Sequence, residues 1–212
     1  MLGLYGSVVD VMFGSFATPG VSTAAGLNAY LPLLLLAILS RSTDLIELSA
    51  PWNQLEEPWA LAVIGGVALL DFVGDKIAPI DHVLHAAGLA IAPATGAVAA
   101  AAAAGVVDVD PAIAVTIGFV ATLLTHAGRS AARPVSTLAT GGAGNAVVSL
   151  AEDGTSGLLT VLAFVAPVLA FLMVVLIAMA LVWGVRRWRA LGRRLDGMMS
   201  GRGGWARGQP PP

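Results

Sequence analysis

The chain alternates long apolar runs with short polar interruptions. Six of those runs approach the ~20 mostly apolar residues that a membrane-crossing helix requires. They cover residues 2–16, 26–40, 58–73, 86–105, 111–127 and 157–185. The first is short and carries Asp10, so it either spans the bilayer or lies at its surface. The second contains four consecutive leucines, Leu33 to Leu36. The third opens on Pro58, placed where a helix start has no use for the missing N–H. The sixth is longer than a hydrocarbon core requires and is expected to tilt or protrude. Between the second and third runs, residues 41–57 are polar and amphipathic. Trp52 and, just beyond, Trp59 suit the headgroup belt.

The fourth run differs from the others in composition. Gly88, Ala92, Gly96, Ala100 and Ala104 recur every four residues, the small-residue stripe that lets helix backbones approach closely in lipid. This helix is expected inside a bundle, with a kink or break at Pro93. A seventh stretch, near 141–152, opens on glycines and is too short to cross. It predicts a re-entrant or half-length helix, whose bare amino-terminal N–H groups can face an anion.

Composition supports this reading and excludes alternatives. The chain is 57% hydrophobic and 11% charged, where a soluble domain carries about 25% charged residues. It has no cysteine, which removes disulfides, thiolate metal sites and cysteine nucleophiles. The formal charge of −2 hides an asymmetry, because seven of the eleven Lys and Arg residues lie in the last 27 positions. Those arginines predict a cytoplasmic tail over 186–212, basic, Gly/Pro-rich and partly disordered, following a single transmembrane domain over 1–185. No Lys or Arg precedes Arg41, so the amino terminus is read as a retained helix and not a secretory signal. Counting six spans back from the tail places both termini in the cytoplasm. The start of span two and the links 3–4 and 5–6 then fall on the outer side. The expected location is a bacterial cytoplasmic (inner) membrane.

Three polar constellations interrupt the apolar background. Asp71, Asp75, Lys76, Asp81, His82 and His85 crowd the third link, where ionisable groups at membrane depth cost roughly 2.5–3.5 kcal/mol or more unless paired or hydrated. A hydrated loop with Asp81 capping the next helix accounts for them as well. Asp81, His82 and His85 have a spacing that a metal could use, but no metal is assigned on that pattern alone. His126, Arg129 and Arg133 form the second group. The two arginines share a helical face at i, i+4, on the side that the charge rule disfavours, which points to carboxylate partners. The third runs from Thr140 through Asn145 and Ser149 to Glu152 and Asp153. Two acids at a helix carboxyl end call for a cation, and Arg129 and Arg133 are the candidates. Asp153 as a cap for the sixth span is the alternative. Thr23, Asn28, Ala29 and Leu33 share their spacing with Thr140, Asn145, Ala146 and Leu150, a faint internal echo. No phosphate loop, hydrolase triad or zinc-protease motif is present.

Gly26 to Leu34 with Asn28, Tyr30 and Pro32, then Asp75-Lys76-Ile77 followed by Pro79 and Asp81, then Asn145 ahead of Ser149 to Asp153, occur in that order. This combination resembles the bacterial membrane-protein family termed domain of unknown function 4126, over roughly residues 15–170. The chain departs from the family pattern at Ala78, at the arginine pair without a preceding lysine, and over 140–144. The resemblance implies a membrane protein and highlights these residues, but it brings no activity.

The predicted architecture is all-α, a polytopic bundle of about six transmembrane helices plus one short re-entrant or half-length helix. Its candidate charge cluster is Asn28, Asp75, Lys76, Asp81, Arg129, Arg133, Asn145, Glu152 and Asp153. A channel or transporter for an ion or small polar solute fits this best, with the bilayer as partner, a homo-oligomer allowed by the small-residue stripe, and neither cofactor nor nucleic acid implied. Two alternatives stand beside it. One is a structural or assembly subunit whose charges pin helices together. The other is an intramembrane enzyme acting on a lipid headgroup through His82, His85 or His126 with Asp75 or Asp81.

Overall fold

The computed structural model describes residues 2–74, 77–104, 110–141 and 143–205. Side chains are described over 15–193 within those stretches, except at 78, 79, 81, 82, 85, 132–136, 138, 139, 143, 188 and 191. The described chain is all-α. Seven helices run in the order α1 Leu2–Leu27, α2 Leu31–Ser42, α3 Pro58–Gly74, α4 Ala78–Ala104, α5 Pro111–Thr140, α6 Ala143–Val165 and α7 Pro167–Trp205, with a 3₁₀ turn at Trp52–Glu56. Four described stretches are long and apolar enough to cross a membrane, namely Ala86–Ala104, Pro111–Ala131, Gly144–Val165 and Pro167–Arg187. Helices α2 and α3 are apolar but shorter.

Several boundaries differ from those the hydropathy pattern predicts. Helix α1 does not stop near residue 16. It continues through Thr18, Ser22 and Thr23, whose hydroxyls lower the hydropathy without breaking the helix. Ser22, for example, bonds back to the Thr18 carbonyl at 2.6 Å. Helix α5 likewise runs past residue 127 and carries Arg129 and Arg133 inside it. Asp110 starts it by accepting from the N–H groups of Ala112 and Ile113, with Pro111 at the first helical position. It ends at Gly141, whose φ of 62° lies in the left-handed region that favours glycine.

The separate half-length helix expected at 141–152 is absent from this place. Residues 143–152 open α6, which continues to Val165. The acids at 152 and 153 do not terminate it, because cross-helix partners answer them. The predicted sixth span is instead divided at Pro167, which has no N–H to carry a helical ladder forward. Pro93, in contrast, lies within α4 without ending it. The half-length element is α2, twelve residues or about 18 Å at the α-helical rise. Helix α7 continues through the arginines to Trp205. Of the predicted tail, 206–212 lies outside the described residues.

Packing follows the small residues. The α4 stripe meets Ala114, Gly118, Thr122 and His126 of α5 in antiparallel register. A Cβ placed on Gly96 would collide with Thr122, and one on Gly118 would fall 2.6 Å from the Gly96 carbonyl. Ala100, Ala104 and Ala114 close the far end of this seam. The carboxyl half of α1 is central, with Ala17, Val21, Ala24 and Ala25 fully buried. Gly26 abuts Thr125 of α5, and Gly20 abuts Ala163 of α6 and Ala170 of α7. Helix α7 forms the periphery, exposing Leu169, Leu172, Leu176 and Met179, side chains suited to lipid.

These contacts also fix relative directions. Ser22 meets Thr122, and Leu27 meets Arg129, so α1 and α5 run together. Ser156 meets Ala24 and Ala163 meets Gly20, so α6 runs against α1. Ala170 lies beside Gly20 and Leu181 beside Gly128, so α7 turns back and runs with α1 and α5. The arginines of α7 therefore stand at the same end of the bundle as Arg129, not at the opposite end as six alternating spans would require. The reversal at Pro167 makes the difference.

Candidate functional site

The chain is interrupted between α1 and α2 at Asn28, Ala29 and Tyr30. Such an interruption bares the last carbonyls of one helix and the first N–H groups of the next. In hydrocarbon each must find a protein partner. Asn28 supplies one solution. Its side-chain oxygen accepts from the N–H of Tyr30 at 3.0 Å and of Leu31 at 2.9 Å, and its amide donates to Asp153 Oδ1 at 2.9 Å. Asn28 itself is buried.

Neighbouring helices meet the carbonyl end of α1. Thr122 donates to the carbonyl of Ser22 at 2.7 Å and Ser156 to that of Ala24 at 2.8 Å. Arg129 donates through a terminal guanidinium nitrogen to the carbonyl of Leu27. Its Nε donates to Glu152 Oε2 at 2.7 Å, an ion pair whose side chains are 6% and 15% exposed. One cation thus answers both the negative end of a helix dipole and a carboxylate, inside the apolar stretch Pro111–Ala131.

A stripe of polar residues on α6 faces this break. Asn145, Ser149, Ser156 and Thr160 are buried, with Glu152 and Asp153 between them at helical spacing. Asn145 donates to Thr137 Oγ1 at 2.9 Å. The other carboxylate oxygen of Asp153 and the side-chain oxygen of Asn145 are both buried, and neither meets a donor among the described residues. Beside the break a cavity of about 40 Å³ is lined by Tyr30, Asp71, Gly88, His126 and Arg129, among others. That is room for very few water molecules. His126 is held tightly on one side, since a Cβ on Gly88 would fall 2.6 Å from its Cε1.

Of the sequence-predicted residues, Asn28, Arg129, Glu152 and Asp153 meet at one place. Asn145 shares the α6 stripe but bonds at the start of that helix. Asp75 and Lys76 lie outside the described residues. Asp81 and Arg133 lie on α4 and α5, with their side chains outside the description. The internal echo has no common structural role, because Asn28 sits between helices and Asn145 within the first turn of one. Among the described residues, no cluster of metal-ligating side chains is found. Thr122 and Ser156 were not singled out by any motif, and Asp71 and Tyr30 lay in motifs but outside the candidate cluster. The polar residues on α6, repeating every three or four positions, carry the signal that would have found Ser156 and Thr160.

A model of the family described as Domain of unknown function (DUF4126) matches residues 16–187. No curated protein and no solved structure matches the chain.

Proposed function

This chain belongs to the DUF4126 family, and we propose that it is a small channel or transporter for an ion or small polar solute. The observation that carries the reading is the interrupted α1–α2 segment, where Arg129, Glu152 and Asp153 converge on bared helix ends within apolar helices. Broken helices with ionisable groups at membrane depth are common features of solute pathways. The buried acceptors on Asp153 and Asn145 are suited to a donor or cation. The adjoining small cavity, with Asp71, His126 and Arg129 on its wall, supports the same reading. By the positive-inside tendency, the arginine-bearing end of α7 is cytoplasmic, and the Asn28–Asp153 end is then cytoplasmic with it.

A second reading, a structural or assembly subunit, is favoured by the two described contacts of Arg129, both of which join helices. Reconstituted liposomes separate the two. Protein-dependent flux of one solute in a panel of ions and small polar molecules, lost in Asp153→Asn, supports transport. That variant keeps an acceptor for Asn28. No flux above protein-free liposomes for any of the panel, with Arg129 variants altering only melting temperature, would leave the structural reading standing.

A further inference from the structure

Away from the break, α5 and α7 touch at Gly128 and Leu181 and then diverge around a groove of about 510 Å³. Its walls include Leu124 and Thr125 of α5 and Ile177 and Leu181 of α7, and Thr23 of α1 also borders it. Small residues, Ala121 and Gly128 on α5 and Ala178 on α7, line part of it. One end is not apolar. Arg186 and Arg189 close it, three residues apart on one helical face. No carboxylate is among the described residues lining the groove.

The level of that charged end within the bilayer is marked independently. The apolar stretch of α7 ends at Arg187, and the Arg187 guanidinium sits 5.4 Å from the centre of the exposed Trp183 ring. Tryptophan and arginine in this arrangement belong to the headgroup zone. The groove therefore offers an apolar channel at acyl-chain depth and two guanidinium groups at phosphate depth. A second copy of the chain would satisfy the apolar part but would bring its own α7 arginines toward these in a symmetric contact.

We propose that the α5–α7 groove is a binding site for an anionic phospholipid, with an acyl chain along Leu124, Ile177 and Leu181 and the phosphate on Arg186 and Arg189. Charge complementarity selects this occupant, since paired guanidinium groups hold phosphate through several directed N–H donors.

The test uses the full chain in a zwitterionic detergent, titrated with dioleoyl phosphatidylglycerol or dioleoyl phosphatidylcholine and read by native mass spectrometry and melting temperature. Retention of one phosphatidylglycerol per chain, with a rise in melting temperature that phosphatidylcholine does not give, is expected. Arg186→Gln with Arg189→Gln should weaken it on the order of tenfold. Ala178→Phe, which fills the groove and leaves both arginines, should abolish it. If Ala178→Phe does not fold, Leu124→Trp at the exposed groove edge serves the same purpose. Equal binding of both lipids overturns the proposal, as does loss through the arginine changes alone, which reports surface charge. A dimer whose interface cross-links through the groove overturns it as well.

Discussion

The guanidinium of Arg129 donates to the main-chain carbonyl of Leu27, a residue 102 positions away at the last turn of α1. A helix that ends in a nonpolar medium needs its final carbonyls satisfied, and the interruption at Asn28 leaves that of Leu27 without an intrahelical donor. An arginine from α5 supplies it while holding Glu152 of α6 at 2.7 Å. Three helices are thereby tied at one point, by a group whose burial would be prohibitive without both partners.

Removing that tie should be costly. Arg129→Met takes the described cation from a largely buried carboxylate and the donor from the Leu27 carbonyl, and a loss of about 3–5 kcal/mol is expected. Converting Glu152 to leucine in the same chain removes the stranded charge. The double variant should recover part of the loss, leaving a deficit of about 1–3 kcal/mol for the Leu27 carbonyl. Reversible unfolding of wild type, both single variants and the double variant checks this. Additive single losses would show that the pair is not coupled.

Asn28 acts through shape as much as polarity, since it accepts two N–H groups and donates to Asp153. Asn28→Ala should lose about 1–3 kcal/mol. The nearly isosteric Asn28→Asp keeps the acceptor but turns a second carboxylate toward Asp153. Its destabilisation should therefore exceed that of Asn28→Ala, because two like charges then face each other away from water. Melting curves of the two variants test the order, and an Asn28→Asp deficit no larger than that of Asn28→Ala would overturn the argument.

How far the sequence reveals this arrangement depends on what each signal measures. The membrane class, the helical fold and the α4 stripe are legible, because apolar length and four-residue spacing act locally. The partners of Arg129 are half legible. Two acids at 152 and 153 and the arginines of α5 suggested pairing, and the described pair is Arg129 with Glu152. The outer-side placement behind that expectation fails, because Arg129 shares its end of the bundle with the α7 arginines. The Leu27 carbonyl could not be foreseen, because main-chain acceptors have no sequence signature. Helix ends were misplaced where hydroxyls at Thr18, Ser22 and Thr23 resemble loop polarity but are buried within the bundle, that of Ser22 bonding back to the Thr18 carbonyl. The division at Pro167 was misread because hydropathy continues across it without a dip.

The seam between α4 and α5 leads to a contrast between two glycines. A methyl on Gly96 collides with Thr122, whereas one on Gly66 of α3 meets nothing within 4 Å. Gly96→Ala should cost about 1–3 kcal/mol through overpacking. Gly66→Ala should be neutral or stabilising by up to about 1 kcal/mol, since alanine is the better helix former. Pairing Gly96→Ala with Thr122→Ala tests the cause, because space made on α5 should return part of the loss. Thr122 also donates to the Ser22 carbonyl, so recovery stays incomplete.

The reversal at Pro167 makes the sharpest claim about topology, and the absence of cysteine makes it easy to test. Single cysteines at Ala112, Thr140 and Gly192 mark the first turn of α5, its last turn, and the arginine-rich part of α7. All three positions are exposed. If α7 runs with α5, as the Gly20–Ala170 and Gly128–Leu181 contacts together require, Thr140→Cys and Gly192→Cys react with a membrane-impermeant maleimide from one side of the bilayer, and Ala112→Cys from the other. An alternating count in which residues 157–185 form one span puts Gly192 with Ala112 instead. The charge rule adds the absolute direction, because arginines flanking a span favour the cytoplasm. Gly192→Cys and Thr140→Cys should stay unlabelled in intact cells and react in inverted vesicles. Labelling of Gly192→Cys together with Ala112→Cys would show that the chain crosses the membrane between 140 and 192 an odd number of times, and the fold described here, which crosses twice, would fail.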